Sequence, residues 1–121
     1  MPKKILWKMK LTINKIKHSK IKFTDNIKNG VMKSDCVMTD VWISMGEKNR
    51  KKKGFFKNYQ VNNKVMQMAK KNAIFMHCLP AHRGEEVSNN VIDGHQSIVW
   101  QQAKNRIYVQ QAILNYILNN K

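Results

Sequence analysis

Two apolar runs in this chain of 121 residues end in side chains that can do chemistry. The first run, residues 74–76, is followed by the imidazole of His77 and the thiol of Cys78. The second run, residues 36–38, is followed closely by the carboxylate of Asp40. A carboxylate in such a place can bind an ammonium group, and an imidazole can serve as a ligand or an acid. These groups suggest one pocket that both runs share.

The sequence pattern predicts that strands alternating with helices position this pocket. Residues 36–39 and 73–76 are nearly continuous apolar runs, which is typical of buried parallel strands. Between them, Asn62 is placed to cap a helix that carries Val65 and Met66 on its inner face. Ligands of parallel α/β sheets bind beyond the carboxyl ends of the strands. The sequence therefore predicts an α/β fold, a Rossmann-like parallel sheet flanked by helices, with the pocket at that edge.

Further elements follow from periodicity. Residues 20–24 alternate and predict a short strand, and Thr24 or Asp25 is placed to cap a helix after it. Residues 48–58 predict a lysine-coated helix with Phe55 and Phe56 facing inward. The last segment predicts a long helix of about 20 residues, or about 30 Å, whose apolar stripe consists of Trp100, Ala103, Ile107, Ala112, Leu114 and Leu118.

Composition narrows the functional classes. The net charge is +16, but 20 of the 23 basic residues are lysine. Proteins that read base edges depend on arginine, so solvated lysine faces are favoured over a nucleic-acid surface. Two cysteines 42 positions apart indicate neither a disulfide scaffold nor a metal site and are typical of a reduced, cytoplasmic setting. No apolar run approaches the roughly 20 residues that cross a bilayer, so we expect no membrane association.

Four segments together carry a family resemblance. Residues 40–46, Asp-Val-Trp-Ile-Ser-Met-Gly, resemble the ornithine loop of ornithine carbamoyltransferases, and residues 77–80 resemble the His-Cys-Leu-Pro motif of that family. The segments 59–61, Tyr-Gln-Val, and 105–106, Asn-Arg, occur in the family's order. The resemblance spans residues 19–118 and extends more weakly over the first 18 residues.

The resemblance implies a domain organisation. Carbamoyltransferases have two α/β domains, and this chain resembles an incomplete second domain. We expect residues 1–18 to form a basic amphipathic helix and residues 19–121 to form the ornithine-binding domain, which ends in a long helix. The Ser-Thr-Arg-Thr phosphate loop of the first domain does not occur in the sequence. The resemblance therefore implies little or no activity for the chain alone. Whether a separate chain supplies the carbamoyl-phosphate domain stays open at this point. Members of the family form homotrimers, and the resemblance does not decide whether this chain does so.

The implied activity is that of ornithine carbamoyltransferase. The δ-amine of L-ornithine attacks the carbonyl carbon of carbamoyl phosphate, phosphate leaves, and L-citrulline results, as in arginine biosynthesis. Such a transfer needs no cofactor and no metal. The family's ornithine-binding positions correspond to Asp40, Ser44 and Met45.

The remaining site residues also follow from the resemblance. Cys78 and Arg106 are expected to be catalytic. Together with Leu79, they are expected to contact carbamoyl phosphate, with the Leu79 carbonyl accepting a hydrogen bond from the carbamoyl nitrogen. His77 and Pro80 are expected to support them, with His77 interpreted as structural in preference to a ligand or an acid.

Two alternatives stay open from the residues alone. The chain could be a non-catalytic amino-acid-binding fragment, which would bind ornithine without turnover. It could also be a basic nucleic-acid-binding module that uses residues 51–53, Lys-Lys-Lys. The second alternative is disfavoured because so few of the cations are arginine.

Overall fold

The computed structural model describes residues 21–43 and 53–120. The predicted helix over residues 1–18 and the loop residues Ser44 and Met45 lie outside the described residues. In chain order the elements are α1 (Ile27–Val31), β1 (Cys36–Thr39), α2 (Lys53–Phe56), a 3-10 helix (Lys57–Tyr59), α3 (Asn63–Met68), β2 (Ile74–His77), α4 (Asn89–Ile92) and α5 (Val99–Asn119).

The two predicted strands form and pair in parallel. Val37 of β1 lies opposite Phe75 of β2, and Thr39 lies opposite His77. On the other side of β2, the backbone N–H of Phe75 donates to the Gln96 carbonyl at 2.7 Å, and its carbonyl accepts from Ile98 at 3.0 Å. The carboxyl ends of β1 and β2 therefore lie side by side. The α/β class predicted from the sequence is confirmed, in a partial domain.

The core lies between β2 and the helices around it. Phe75, Val87 and Val99 are fully buried, so apolar burial centres on the middle strand. Burying such side chains is the main stabilising contribution to a fold of this kind. The other buried apolar residues are Val37, Val61, Val65, Met66, Ala73, Val91 and Ile92.

Three expectations about burial are wrong. Strand β1 is not buried on both faces, because Val37 points into the core while Met38 is 58% exposed. Phe55 and Phe56 do not face inward: Phe55 is 79% exposed, and Phe56 stacks on Trp42 with ring centroids 6.3 Å apart. In the described part of the chain, Met38, Phe55 and Phe56 do not pack against the core. An apolar pattern in the sequence shows which side chains could be buried, but it does not show that another element covers them.

The predicted strand at residues 20–24 is also wrong where the structure describes it, since residues 21–24 form no strand. The cap of the following helix is neither Thr24 nor Asp25. The Asn26 side chain accepts from the Asn29 backbone N–H at 3.1 Å and caps α1. Thr24 instead accepts from the backbone of Asn26 at 3.1 Å. Asparagine caps helices as well as serine or aspartate does. The residue type therefore did not distinguish these candidates, and the cap is the one that lies directly before the first residue of α1.

The long C-terminal helix is confirmed as α5, with 21 residues. Its predicted stripe is not buried, since Trp100 is 61% exposed and Leu118 is 65% exposed. Within the described part of the chain, only Val99 of this helix is buried. None of the described helices combines the length and the apolar content that crossing a membrane requires.

The Asn62 cap of α3 yields a stability prediction. Its side chain accepts from the Val65 backbone N–H at 3.2 Å, as the sequence predicts. We expect Asn62→Ala to lower the free energy of unfolding by about 1 kcal/mol, because that N–H loses its partner. Urea unfolding followed by circular dichroism measures the change. Asn63→Ala, one residue further on, is the control and should not destabilise the chain. Equal losses for both variants would contradict the capping role.

Candidate functional site

The ends of β1 and β2 bring a carboxylate and a thiol into contact. Because Thr39 lies opposite His77, the residues that follow them, Asp40 and Cys78, are also neighbours. The Cys78 thiol donates to Oδ1 of Asp40 at 3.0 Å. The same oxygen accepts from the Val41 backbone N–H at 2.7 Å. The expectation that the two strand ends meet in one place is confirmed, and both side chains are exposed there.

This contact sets the protonation of both groups. The hydrogen bond from Cys78 lowers the pKa of Asp40 below its ordinary value, and the Val41 N–H and the nearby His77 lower it further against a small opposing effect of burial. The hydrogen bond to Asp40 raises the pKa of Cys78, and burial and the Asp40 charge raise it further. At neutral pH the site therefore presents a carboxylate beside a protonated thiol, which is an arrangement suited to a cationic ligand.

Arg106, on α5, has an electrostatic effect on Cys78. Its charge opposes the rise in the pKa of Cys78, so the guanidinium lies within electrostatic reach of the thiol. Arg106 is exposed, as is Pro80, while Leu79 is half-buried. The Leu79–Pro80 peptide bond is cis. The structure thus brings Asp40 and Cys78 into contact, with Arg106 acting on the thiol through its charge alone, while Ser44 and Met45 lie outside the described residues.

His77 is turned away from this surface. Its side chain is fully buried, and Nε2 lies 3.2 Å from Oε1 of Glu86. Its backbone N–H donates to the side chain of Gln102 on α5 at 2.9 Å. This geometry favours the structural interpretation of His77 over that of a ligand or an acid.

Three supporting residues were not predicted from the sequence. Glu86 is fully buried, in a non-helical segment that includes Glu85. Gln102 holds the His77 backbone. Gln60 donates to the carbonyls of Gly84 at 2.7 Å and Glu85 at 2.8 Å. The motif at residues 59–61 was the only signal that pointed to any of them.

The residues that follow the turn at Pro80 face other partners. Arg83 forms a two-point ion pair with Asp93, with Nη2 2.9 Å from Oδ1 and Nη1 in contact with Oδ2. This pair raises the pKa of Arg83 and lowers that of Asp93. Arg83 is thereby engaged away from Asp40 and Cys78.

One group of side chains in the described ranges has its potential ligand atoms close enough for a metal ion. These are His82, Glu85 and Glu86, whose atoms lie within 4.8 Å of one another. Oε1 of Glu86 already accepts from the His82 backbone N–H at 2.5 Å.

One cleft of the described residues lies away from the strand ends. It has a volume of about 730 Å³ and is lined by residues of α3 and α4 and by residues that precede β2, including Lys70 and Lys71. None of the predicted site residues lines it. Among the described residues, Asp40 and Cys78 are exposed at the carboxyl edge of the sheet, so the candidate site is separate from this cleft.

The reactivity of Cys78 provides a test of this electrostatic arrangement. In a Cys36→Ser background we expect Asp40→Asn to speed alkylation of Cys78 at about pH 8, because loss of the carboxylate lowers the thiol pKa and raises the thiolate fraction. We expect Arg106→Ala to slow it for the opposite reason. Iodoacetamide labelling over a pH series, read by mass spectrometry, measures both. Lys104→Ala controls for net charge, and identical pH profiles in all variants would contradict the arrangement.

Comparison with known proteins identifies relatives of this chain. Residues 1–117 match the family described as aspartate/ornithine carbamoyltransferase, Asp/Orn binding domain. The chain is 58% identical over 99 residues to the ornithine carbamoyltransferase of Ruthia magnifica, which covers 80% of this chain and 33% of that protein. It is 48% identical to the enzyme of Pyrobaculum islandicum, over 95% of this chain and 40% of that protein.

A solved structure shows the same fold. The anabolic ornithine carbamoyltransferase of Campylobacter jejuni superposes with a TM-score of 0.85 at 34% sequence identity, over 95% of this chain and 39% of that one. The chain thus spans about a third to two fifths of the length of the relatives it matches. By sequence and by structure, it belongs to the aspartate/ornithine carbamoyltransferase family.

Proposed function

We propose that this chain is the ornithine-binding part of an ornithine carbamoyltransferase. It would bind L-ornithine and, with a carbamoyl-phosphate-binding part, transfer the carbamoyl group to the δ-amine to give L-citrulline and phosphate. The observation that carries the proposal is the 3.0 Å contact between Cys78 and Asp40 at the paired strand ends. We place the reaction in arginine biosynthesis in the cytoplasm.

Ornithine recognition rests on the charge of Asp40. Its lowered pKa keeps the carboxylate ionised at neutral pH, and an ionised carboxylate forms charge-assisted hydrogen bonds with ammonium groups. The Cys78 thiol is held beside it as a neutral group. Ser44 and Met45, in the segment that follows β1, would contact the amino-acid end of the substrate, as the family motif implies.

The transfer step requires a neutral amine. An amine of this kind has a pKa of about 10, so the site must release its proton before the nitrogen attacks the carbonyl carbon. The new bond forms from nitrogen to carbon, and the bond from carbon to the phosphate oxygen breaks with its electron pair leaving on phosphate. Arg106 would stabilise the oxygen charge that grows in this step, and the Leu79 carbonyl would orient the carbamoyl N–H. Direct attack needs no covalent intermediate on Cys78.

The same features explain why a companion is required. Asp40, Cys78 and Arg106 all lie on an exposed surface, while carbamoyl transfer gains from positioning and from exclusion of water. The relatives are about two and a half to three times longer than the segment matched here. We infer that a carbamoyl-phosphate-binding part closes over this surface.

The proposal is tested by separating binding from turnover. We expect L-ornithine to shift the backbone NMR signals of Val41 and Cys78 in the chain alone, with L-aspartate as the matched control giving no shift. We expect no citrulline from the chain alone with ornithine and carbamoyl phosphate, and citrulline when the carbamoyl-phosphate part of the Campylobacter jejuni enzyme is added.

Two results would decide against the proposal. Saturating ornithine without any shift at the strand ends would remove the assigned binding site. Binding without citrulline in the mixed sample, under conditions where the intact Campylobacter jejuni enzyme is active, would favour the non-catalytic amino-acid-binding fragment instead.

A further inference from the structure

A buried carboxyl group lies directly beneath the candidate site. Glu86 has no exposed surface, although glutamate is seldom buried unless it is engaged by partners. One of its oxygens, Oε2, is buried without a hydrogen-bond partner in the described part of the chain. Such an oxygen is destabilising, so core stability alone would favour an apolar residue at this position. The contacts of the other oxygen show what the carboxyl group contributes besides packing.

The other oxygen of Glu86 contacts both ends of the turn that carries Cys78. Oε1 accepts from the His82 backbone N–H at 2.5 Å. It also lies 3.2 Å from Nε2 of His77, in close contact but without the geometry of a hydrogen bond. His77 ends β2 and His82 follows the turn. Oε1 of Glu86 therefore contacts the residues on both sides of the segment 78–81.

Glu86 is itself held in place. Its carbonyl accepts from the Val61 backbone N–H at 2.9 Å, and the neighbouring Ser88 N–H donates to Val61 at 3.0 Å. Gln60 binds the two carbonyls just before it. The backbone that carries the carboxyl group is thus fixed by hydrogen bonds. A residue that orients neighbouring residues must itself be held in this way.

We propose that Glu86 is a positioning residue that ties His77 to His82 and thereby sets where the Cys78 thiol meets Asp40. This role deepens the proposed function, since it matters for catalysis only if that site binds ornithine. Glu86 acts through the turn and does not touch the substrate. Its loss should free the turn, separate the thiol from the carboxylate and release Cys78 from the influence of Asp40.

Cysteine labelling tests this role without reference to turnover. In the Cys36→Ser background, Glu86→Ala should speed Cys78 alkylation at about pH 8 by about threefold or more, because the thiol escapes the carboxylate that suppresses its ionisation. Adding Asp40→Asn should then have little further effect, since the contact is already broken. Asp35→Asn, an exposed carboxylate at the opposite end of β1 with the same charge change, should leave the pH profile unchanged.

Additive effects of the Glu86 and Asp40 changes, or an unchanged Cys78 pH profile in a folded Glu86→Ala chain, would overturn the proposal. Glu86→Gln keeps the volume and an acceptor oxygen, and it should give a smaller increase than alanine. Circular dichroism of each Glu86 variant reports global unfolding and separates it from a local effect.

A measurement on the unaltered chain covers the case in which every Glu86 variant unfolds. The His82 amide proton should exchange with solvent more slowly than that of its exposed neighbour Arg83, because it is bonded to a buried oxygen. Equal exchange of the two amides would overturn the proposal. Neither experiment involves ornithine or citrulline, so failure here is distinct from failure of the proposed function.

Discussion

Replacing Asp40 by asparagine is expected to weaken L-ornithine binding by about 10- to 100-fold, or about 1.5–3 kcal/mol, the range for a hydrogen bond to a charged group. Asparagine keeps the size of the side chain and still accepts from Val41, but it loses the charge that the ammonium needs. Isothermal titration of the purified chain, alone and mixed with a carbamoyl-phosphate-binding part, measures the change. The loss should be larger in the mixture, where less water screens the charge.

Asp35→Asn is the matched control for this variant. Asp35 is an exposed carboxylate that pairs with Lys70 at 2.7 Å, at the other end of β1. It should leave ornithine affinity unchanged, because it removes the same charge far from the strand ends. Equal affinities for the Asp40 and Asp35 variants would show that ornithine does not depend on the carboxylate at the site.

Replacing Phe75 by alanine is expected to lower the free energy of unfolding by about 3–5 kcal/mol. Phe75 is fully buried in the middle of β2, and its backbone pairs with β1 on one side and with residues 96–98 on the other. A cavity at this position cannot be filled by a shift of either neighbour. Domains are commonly stable by only about 5–15 kcal/mol, so the variant should be unfolded or close to it. Urea unfolding followed by circular dichroism measures the loss.

Phe55→Ala is the control for that substitution. The same atoms are removed, but from a side chain that is 79% exposed, so the change should stay within about 0.5 kcal/mol. A similar loss at both positions would contradict the assignment of the core to β2 and its neighbours.

Much of the site was predictable because its signals are local. The apolar runs before Asp40 and Cys78 predict two buried strands, and parallel pairing then requires their carboxyl ends to meet. The structure places the two side chains 3.0 Å apart. The cap at Asn62 was predictable for the same reason, since it needs only one residue type at the first turn of a helix.

The support beneath the site was not predictable in this way. Nothing in the adjacent pair Glu85 and Glu86 tells which carboxyl group is buried. The difference arises because Val61 pairs with the backbone of Glu86 and draws that residue inward. Val61 lies 25 positions earlier in the chain, so the contact has no local signature.

The sequence by itself determined the α/β class through its apolar periodicity, the family through four motifs that resemble it, and the adjacency of the strand ends that carry Asp40 and Cys78. Only the tertiary structure decided that Met38 and Phe55 are exposed, that His77 faces inward and that Glu86 lies buried under the turn. Burial is a property of the surfaces that meet, and apolar patterning states which residues can be buried without stating whether a partner covers them.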